Sequence, residues 1–235
     1  MATQYTFRRT EKKYLLTTDQ FASITNSLSA RMAQDEFGRH TISSVYYDTP
    51  DFSLIRRSLE HPVFKEKLRL RGYTDSCMVF PEIKQKYKGV VYKRRIACMP
   101  EDWLRIRQGA ILPGQSEQIQ RELQMMFLRY PALAPAVYIA YDRTAYYEPE
   151  TGLRITFDER LRARDHHLDV HVQSGCTPIL SPGEVVMEVK FPGSAPLWLA
   201  QLLSDCRVYP VSLSKYGRWF ISTRRSCPAT LQLAI

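Results

Sequence analysis

The sequence predicts an α+β fold in which about eight antiparallel strands close into a barrel with a polar, basic lumen and a few helices packed outside. Three observations carry this prediction. Most segments alternate apolar and polar residues with a period of two, as strands with two unlike faces do. The polar positions of strand after strand carry cations on one face. The apolar positions on the other face need cover, which outer helices provide, and closure leaves no exposed edge.

The strands are read at "YTFRRTEKKYLL", "TISSVYYDT", "VFKEKLRLRGY", "MVFPEIKQKY", "VVYKRRIACM", "AVYIAYDRTAYYE", "LRITFDERLRAR" and "GEVVMEVKF", mostly joined by short turns. Three helices interrupt them. "TTDQFASITNSLSARM" opens on a capping box, Thr17 with Gln20, and places Phe21, Ile24, Leu28 and Met32 on one stripe. "SEQIQRELQMMFLRY" aligns Ile119, Leu123, Met126 and Phe127 and stops before Pro131. "SAPLWLAQLLSDC" has Ser194 as the expected N-cap and Pro196 in its first turn. These stripes read as packing surfaces. No internal repeat or low-complexity linker is visible.

A chain of 235 residues with 44% hydrophobic content can bury a substantial core, and a single domain over residues 1–235 is expected. Its net charge of +9 favours an acidic partner: a phosphate compound, nucleic acid or an anionic membrane surface. The five cysteines, Cys77, Cys98, Cys176, Cys206 and Cys227, form no CxxC pair and read as reduced thiols of a cytoplasmic protein. No apolar leader or membrane-length apolar run is present, so the expectation is a soluble, intracellular chain.

In "KEKLRLRGY", Lys65, Lys67, Arg69 and Arg71 share one face while Glu66, Leu68 and Leu70 share the other. Arg9, Glu11 and Lys13 repeat the pattern, as do Glu82, Lys84 and Lys86, then Lys93 and Arg95, then Glu188 and Lys190. A solvated sheet face also alternates. Such faces usually mix both charge signs with Thr, Ser and Gln, whereas cations dominate here. Like charges across neighbouring strands cost a few tenths to about 1 kcal/mol per pair. A polyanion would offset that cost.

Nine ordered motifs carry a resemblance to a known family: "RRTEKKYLL", "SVYYDTPDFSL", "KLRLRGY", "PEIKQK", "VVYKRR", "YDRTAY", "RITFDERL", "VMEVKF" and "SLSKYGRW". In this order, from Arg8 to Trp219, they resemble the VTC domain of polyphosphate polymerases, within the triphosphate tunnel metalloenzyme superfamily. The resemblance implies an eight-stranded tunnel that binds a triphosphate such as ATP, or inorganic polyphosphate, and uses Mn²⁺ or Mg²⁺. By motif position it implies catalytic roles for Lys13, Arg69, Arg71, Lys93, Arg143 and Lys190. It implies substrate binding by Lys84, Arg154, Ser214 and Lys215, joined by Arg9 and Lys67 on the same strand faces. Arginine suits bidentate capture of phosphoryl oxygens, and lysine acts as a point charge. Glu188 is the leading metal ligand, with Glu11 and Glu82 as further ligands or water-orienting groups. Two departures stand out: Arg9 occupies a place where the superfamily often has an acid, which favours the VTC branch, and Ser212 stands where some members carry a basic residue.

The implied reaction passes the terminal phosphoryl of ATP to phosphate or to a growing polyphosphate end. The alternatives are a metal-dependent tripolyphosphatase or organic triphosphatase, and a polyphosphate sensor without turnover. No recognition-helix motif supports nucleic-acid binding. Blander readings also apply: Glu188 as the ion-pair partner of a lysine on its own face, Lys86, Arg94 and Arg95 as peripheral charges, Asp48 and Asp51 as turn or helix caps, Cys77 and Cys98 as packing residues. His166 and His167 lie in a polar loop with no spacing that completes a metal site.

Overall fold

The structure, a computed structural model, describes residues 9–74 and 76–225. Expectations that rest on Arg8, on the start of the first strand and on Cys227 lie outside them. The elements run β1 (Arg9–Leu16), α1 (Thr18–Ser29), β2 (Ala33–Gln34), β3 (His40–Asp48), α2 (Ser53–Leu59), β4 (Phe64–Tyr73), β5 (Phe80–Tyr87) and β6 (Val90–Arg95). They continue with α3 (Pro100–Arg107), α4 (Glu117–Arg129), β7 (Ala134–Glu148), β8 (Leu153–Arg164), β9 (Thr177–Pro178), β10 (Val185–Pro192), α5 (Leu197–Asp205) and α6 (Lys215–Arg225).

The α+β class and the antiparallel pairing are as expected, and all eight predicted strands are present. They form the path β1-β10-β8-β7-β3-β4-β5-β6, and the two-residue strands β2 and β9, which the sequence did not announce, raise the count to ten. Closure is corrected. The path has two ends, and among the described residues β1 and β6 are not paired with each other. The β6 end carries Lys93, Arg94 and Arg95, and charged edge strands resist further pairing. β6 also stops at Arg95 rather than Met99, after which Cys98 makes an isolated bridge with Val79.

The chain divides into two compact units. In residues 9–40, 141–161 and 180–213, one face of β1, β8 and β10 buries Tyr14, Leu16, Ile155, Phe157, Met187 and Val189 beneath α1 and α5. The capping box is present: the Gln20 amide N–H donates to Thr17 Oγ1 and the Thr17 amide to Gln20 Oε1. α5 starts at Leu197 with Pro196, not Ser194, as its N-cap, whose carbonyl accepts from the Leu199 and Ala200 amides.

In residues 41–140, 162–179 and 214–225, Val45, Leu68, Ile83 and Tyr138 pack beneath Trp103 and Ile106 of α3 and Leu123 and Met126 of α4. The leucines of "KEKLRLRGY" are thus covered by helices. Glu66 shares their face and is buried. Arg129 and the Tyr130 hydroxyl hold its carboxylate at 2.9 and 2.8 Å, as a buried charge requires. Asp48 has the expected capping role: its carboxylate accepts from the Leu54 and Ile55 amides at the start of α2 and from the Tyr216 hydroxyl. Asp51 accepts from Thr49 in the same turn. Cys98 is a core residue, whereas Cys77 is exposed and does not pack. His166 and His167 sit in the loop that buried Arg164 ties down through carbonyls, including those of His166, His167, Ser174, Asp169 and Val172.

Candidate functional site

Cross-strand register sets the polar face of each unit. In the second, paired positions on β4, β5 and β6 form rows: Lys65-Lys86-Val91, Lys67-Lys84-Lys93 and Arg69-Glu82-Arg95. β3 extends this face, with Tyr46 opposite Arg69 and Ser44 opposite Arg71. Glu82 is the one acid in these rows and is 1% exposed. Arg69 grips it with Nε at 2.8 Å and Nη2 at 2.6 Å, while Lys93 (3.2 Å), Arg95 (3.8 Å) and Arg71 (4.0 Å) close around its other oxygen. Burial pushes the Glu82 carboxyl up, but the charges of Arg69, Arg71 and Lys93 overturn that and hold it well below the ordinary carboxylate range.

Glu82 thus organises four positive groups that surround it. Arg95 is not peripheral: it reaches Glu82 while its guanidinium lies 4.0 Å over the Phe80 ring. Lys86 is exposed at the far end of the face, and Arg94 points to the other side and pairs with Glu122 at 3.3 Å. Three buried polar atoms on this face, Arg71 Nε, Ser44 Oγ and Glu82 Oε1, have no hydrogen-bond partner, the last being held by ion pairs.

α6 delivers the last pair of expected residues. Tyr216 stacks on Tyr46 and on Trp219, and a Cβ at Gly217 would lie 3.1 Å from Leu59, so glycine lets α6 approach α2 closely. Ser214 accepts from Lys67 at 3.0 Å and from the Gly217 amide, and Lys215 is buried beside it.

Burial pushes the Tyr46 phenol up, yet Arg69, which donates to its oxygen at 3.3 Å, together with Lys67 and Lys215, brings it down to about 8. A phenol titrating near that value is expected in phenolate absorbance, and Tyr46→Phe should remove it. Because its folded value lies below the ordinary 10, the ionised phenol stabilises the fold as pH rises from about 8 to 10 and contributes nothing below 8. Finding no phenol below the ordinary value would contradict this electrostatic account. Lys93 is shifted down by burial and by Arg69 and Arg71, against the pull of Glu82; solvent reaches about half of its side chain and screens part of that effect.

In the first unit, the rows are Lys13-Glu188-Thr156 and Glu11-Lys190-Arg154 across β1, β10 and β8. Glu188 contacts Lys13 at 3.7 Å, Arg143 at 3.4 Å and Lys190 at 3.4 Å. Arg143 is fixed by a two-bond contact with buried Asp158, at 2.6 and 2.8 Å. Lys13 also meets Glu11 at 3.6 Å and donates to the Leu213 carbonyl at 3.1 Å. Arg154 turns to Asp35 at 2.8 Å. Buried Thr156 Oγ1, opposite Glu188, has no hydrogen-bond partner. The backbone of Arg9 pairs with Pro192.

The sequence profile of the VTC domain matches residues 8–220. The chain belongs to the VTC domain family. Among solved structures, it resembles a candidate adenylate cyclase from Bacillus halodurans with a TM-score of 0.53 at 15% identity, covering 89% of this chain and 96% of that one. A second candidate adenylate cyclase, from Vibrio parahaemolyticus, gives 0.48 at 14% identity over 91% and 98%. At such identity the first likeness speaks to the fold alone. No curated protein matches the chain in sequence.

For a hard metal, the donor set of this VTC domain is sparse. Among the described residues no three His, Cys, Asp or Glu side chains gather as a protein-only cage needs. Glu11 and Glu188 nevertheless share Lys13, and two carboxylates suit Mg²⁺ or Mn²⁺ when phosphate oxygens and water fill the remaining positions. The sequence reading missed Ser44, Tyr46, Thr156 and Asp158, although each keeps the alternate-residue parity of a polar strand face.

Proposed function

We propose that this VTC domain is a metal-dependent polyphosphate polymerase that passes the terminal phosphoryl group of ATP to phosphate or to a growing polyphosphate end. The observation that carries the reading is the cationic face of β4, β5 and β6, where seven of the nine side chains in the three rows are Lys or Arg and a single buried carboxylate holds the guanidiniums in place. A polyanion offsets the repulsion in such rows.

Arg69, Arg71, Lys93 and Arg95 present donors to phosphoryl oxygens, and Glu82 fixes their directions. Ser214, Lys67, Lys84 and Lys215 supply further donors on the same face. Arg143, locked by Asp158, holds its guanidinium ready for charge on the transferring group, next to Lys13, Lys190 and Glu188; Arg154 lies one row further. Glu188 with Glu11 would hold Mn²⁺ or Mg²⁺, which supplies Lewis-acid neutralisation of phosphoryl oxygens when bound. A phosphate acceptor is already anionic near neutral pH, so positioning and charge stabilisation do most of the work.

Incubation with ATP and Mn²⁺, followed by gel analysis, tests the proposal. Acid-labile phosphate chains that disappear on chelation of the metal are expected. Orthophosphate without chains would make the chain a triphosphatase, and tight ATP binding without ADP release would make it a sensor.

A further inference from the structure

We propose that the tip of the β5–β6 hairpin docks on an anionic lipid membrane surface. The tip is a two-residue turn in which Lys88 (φ 46°) and Gly89 (φ 86°) both take left-handed backbone, the geometry that closes a tight hairpin. The Lys88 amide donates to the Val63 carbonyl at 3.0 Å, which fixes the start of β4 beside the turn. On the face opposite the cation rows, Phe64, Tyr87 and Val90 occupy one paired row across three strands, and Tyr92 follows opposite Gln85.

These four side chains are 36, 47, 54 and 46% exposed. They extend the same face that buries Leu68 and Ile83 beneath α3 and α4, so the apolar surface continues past its helical cover into water. No acidic residue occurs from Ile83 to Pro100, a span with Lys84, Lys86, Lys88, Lys93, Arg94 and Arg95. An exposed apolar row beside the tip cations Lys86 and Lys88 asks for a partner that meets both needs.

A soluble polyanion would satisfy the lysines and leave the row wet. A second copy of the chain would set one cation cluster against another. An anionic bilayer meets both: the aromatic and aliphatic side chains enter the interface while the lysines reach the headgroups. The inference is independent of phosphoryl transfer, which is read out separately.

The test is co-sedimentation of the full chain with phosphatidylcholine vesicles with and without phosphatidylserine. Binding is expected only to the anionic vesicles, and it should weaken with salt. The double variant Val90→Glu/Tyr92→Glu should abolish it, and Lys88→Glu, which leaves both strands untouched, should weaken it about tenfold. Unfolding midpoint and ATP turnover in solution should be unchanged in all variants. Failure of the unaltered chain to sediment with anionic vesicles would overturn the proposal. So would binding that the double variant retains, or self-association that the double variant abolishes.

Discussion

Replacing Glu188 with alanine is expected to lower ATP turnover by about 10²-fold or more while leaving the fold intact. Glu188 is buried among Lys13, Arg143 and Lys190, and removing it withdraws the charge that balances them. The network keeps other partners: Arg143 retains its two bonds to Asp158, and Lys13 retains Glu11 and the Leu213 carbonyl. The stability cost should therefore stay at about 1–3 kcal/mol, small enough for a folded variant. Glu188→Gln keeps the shape and loses the charge, so it should be as inactive as alanine and should lose its response to added Mn²⁺. A glutamine variant with normal turnover would show that the carboxylate charge is not used, and the metal assignment would fall.

Arg69→Ala should lower kcat/KM by a similar factor, about 10²-fold, for a different reason. Arg69 makes two short bonds to Glu82, and it also donates to Tyr46. Its loss removes a planar, two-pronged donor and frees Glu82 to pull Lys93, Arg71 and Arg95 inward, away from a ligand. Arg69→Lys should not rescue, because an ammonium cannot make the paired contact. The Tyr46 phenol should titrate higher in either variant, a readout that a merely structural role would not move. Full activity in Arg69→Lys would show that charge alone matters at this position.

The eight longer strands were legible because period-two alternation marks most of them, as in β4, where one face lies under helices. The cap of α1 was legible for an equally local reason: Thr17 and Gln20 need only each other. α6 was not, because Gly217 and its cations interrupt any apolar stripe and its anchors, Tyr46, Asp48 and Phe52, lie far away in sequence. Parity placed Glu82 and Arg95 on a polar face but could not say that they meet. That depends on register between β5 and β6, which the hairpin turn at Lys88 and Gly89 fixes. The open ends of the sheet were hidden for the same reason, since pairing between distant strands leaves no mark in either segment alone. Ser44 and Thr156 escaped notice because small hydroxyls are common in strands; only their burial without a partner sets them apart.

The most direct measurement follows the γ-phosphoryl of labelled ATP while counting ADP. The account predicts that each ADP released is matched by one labelled phosphoryl in acid-labile chains, and only with Mn²⁺ or Mg²⁺ present. ADP matched instead by free orthophosphate, with no labelled chains at any metal concentration, would contradict it.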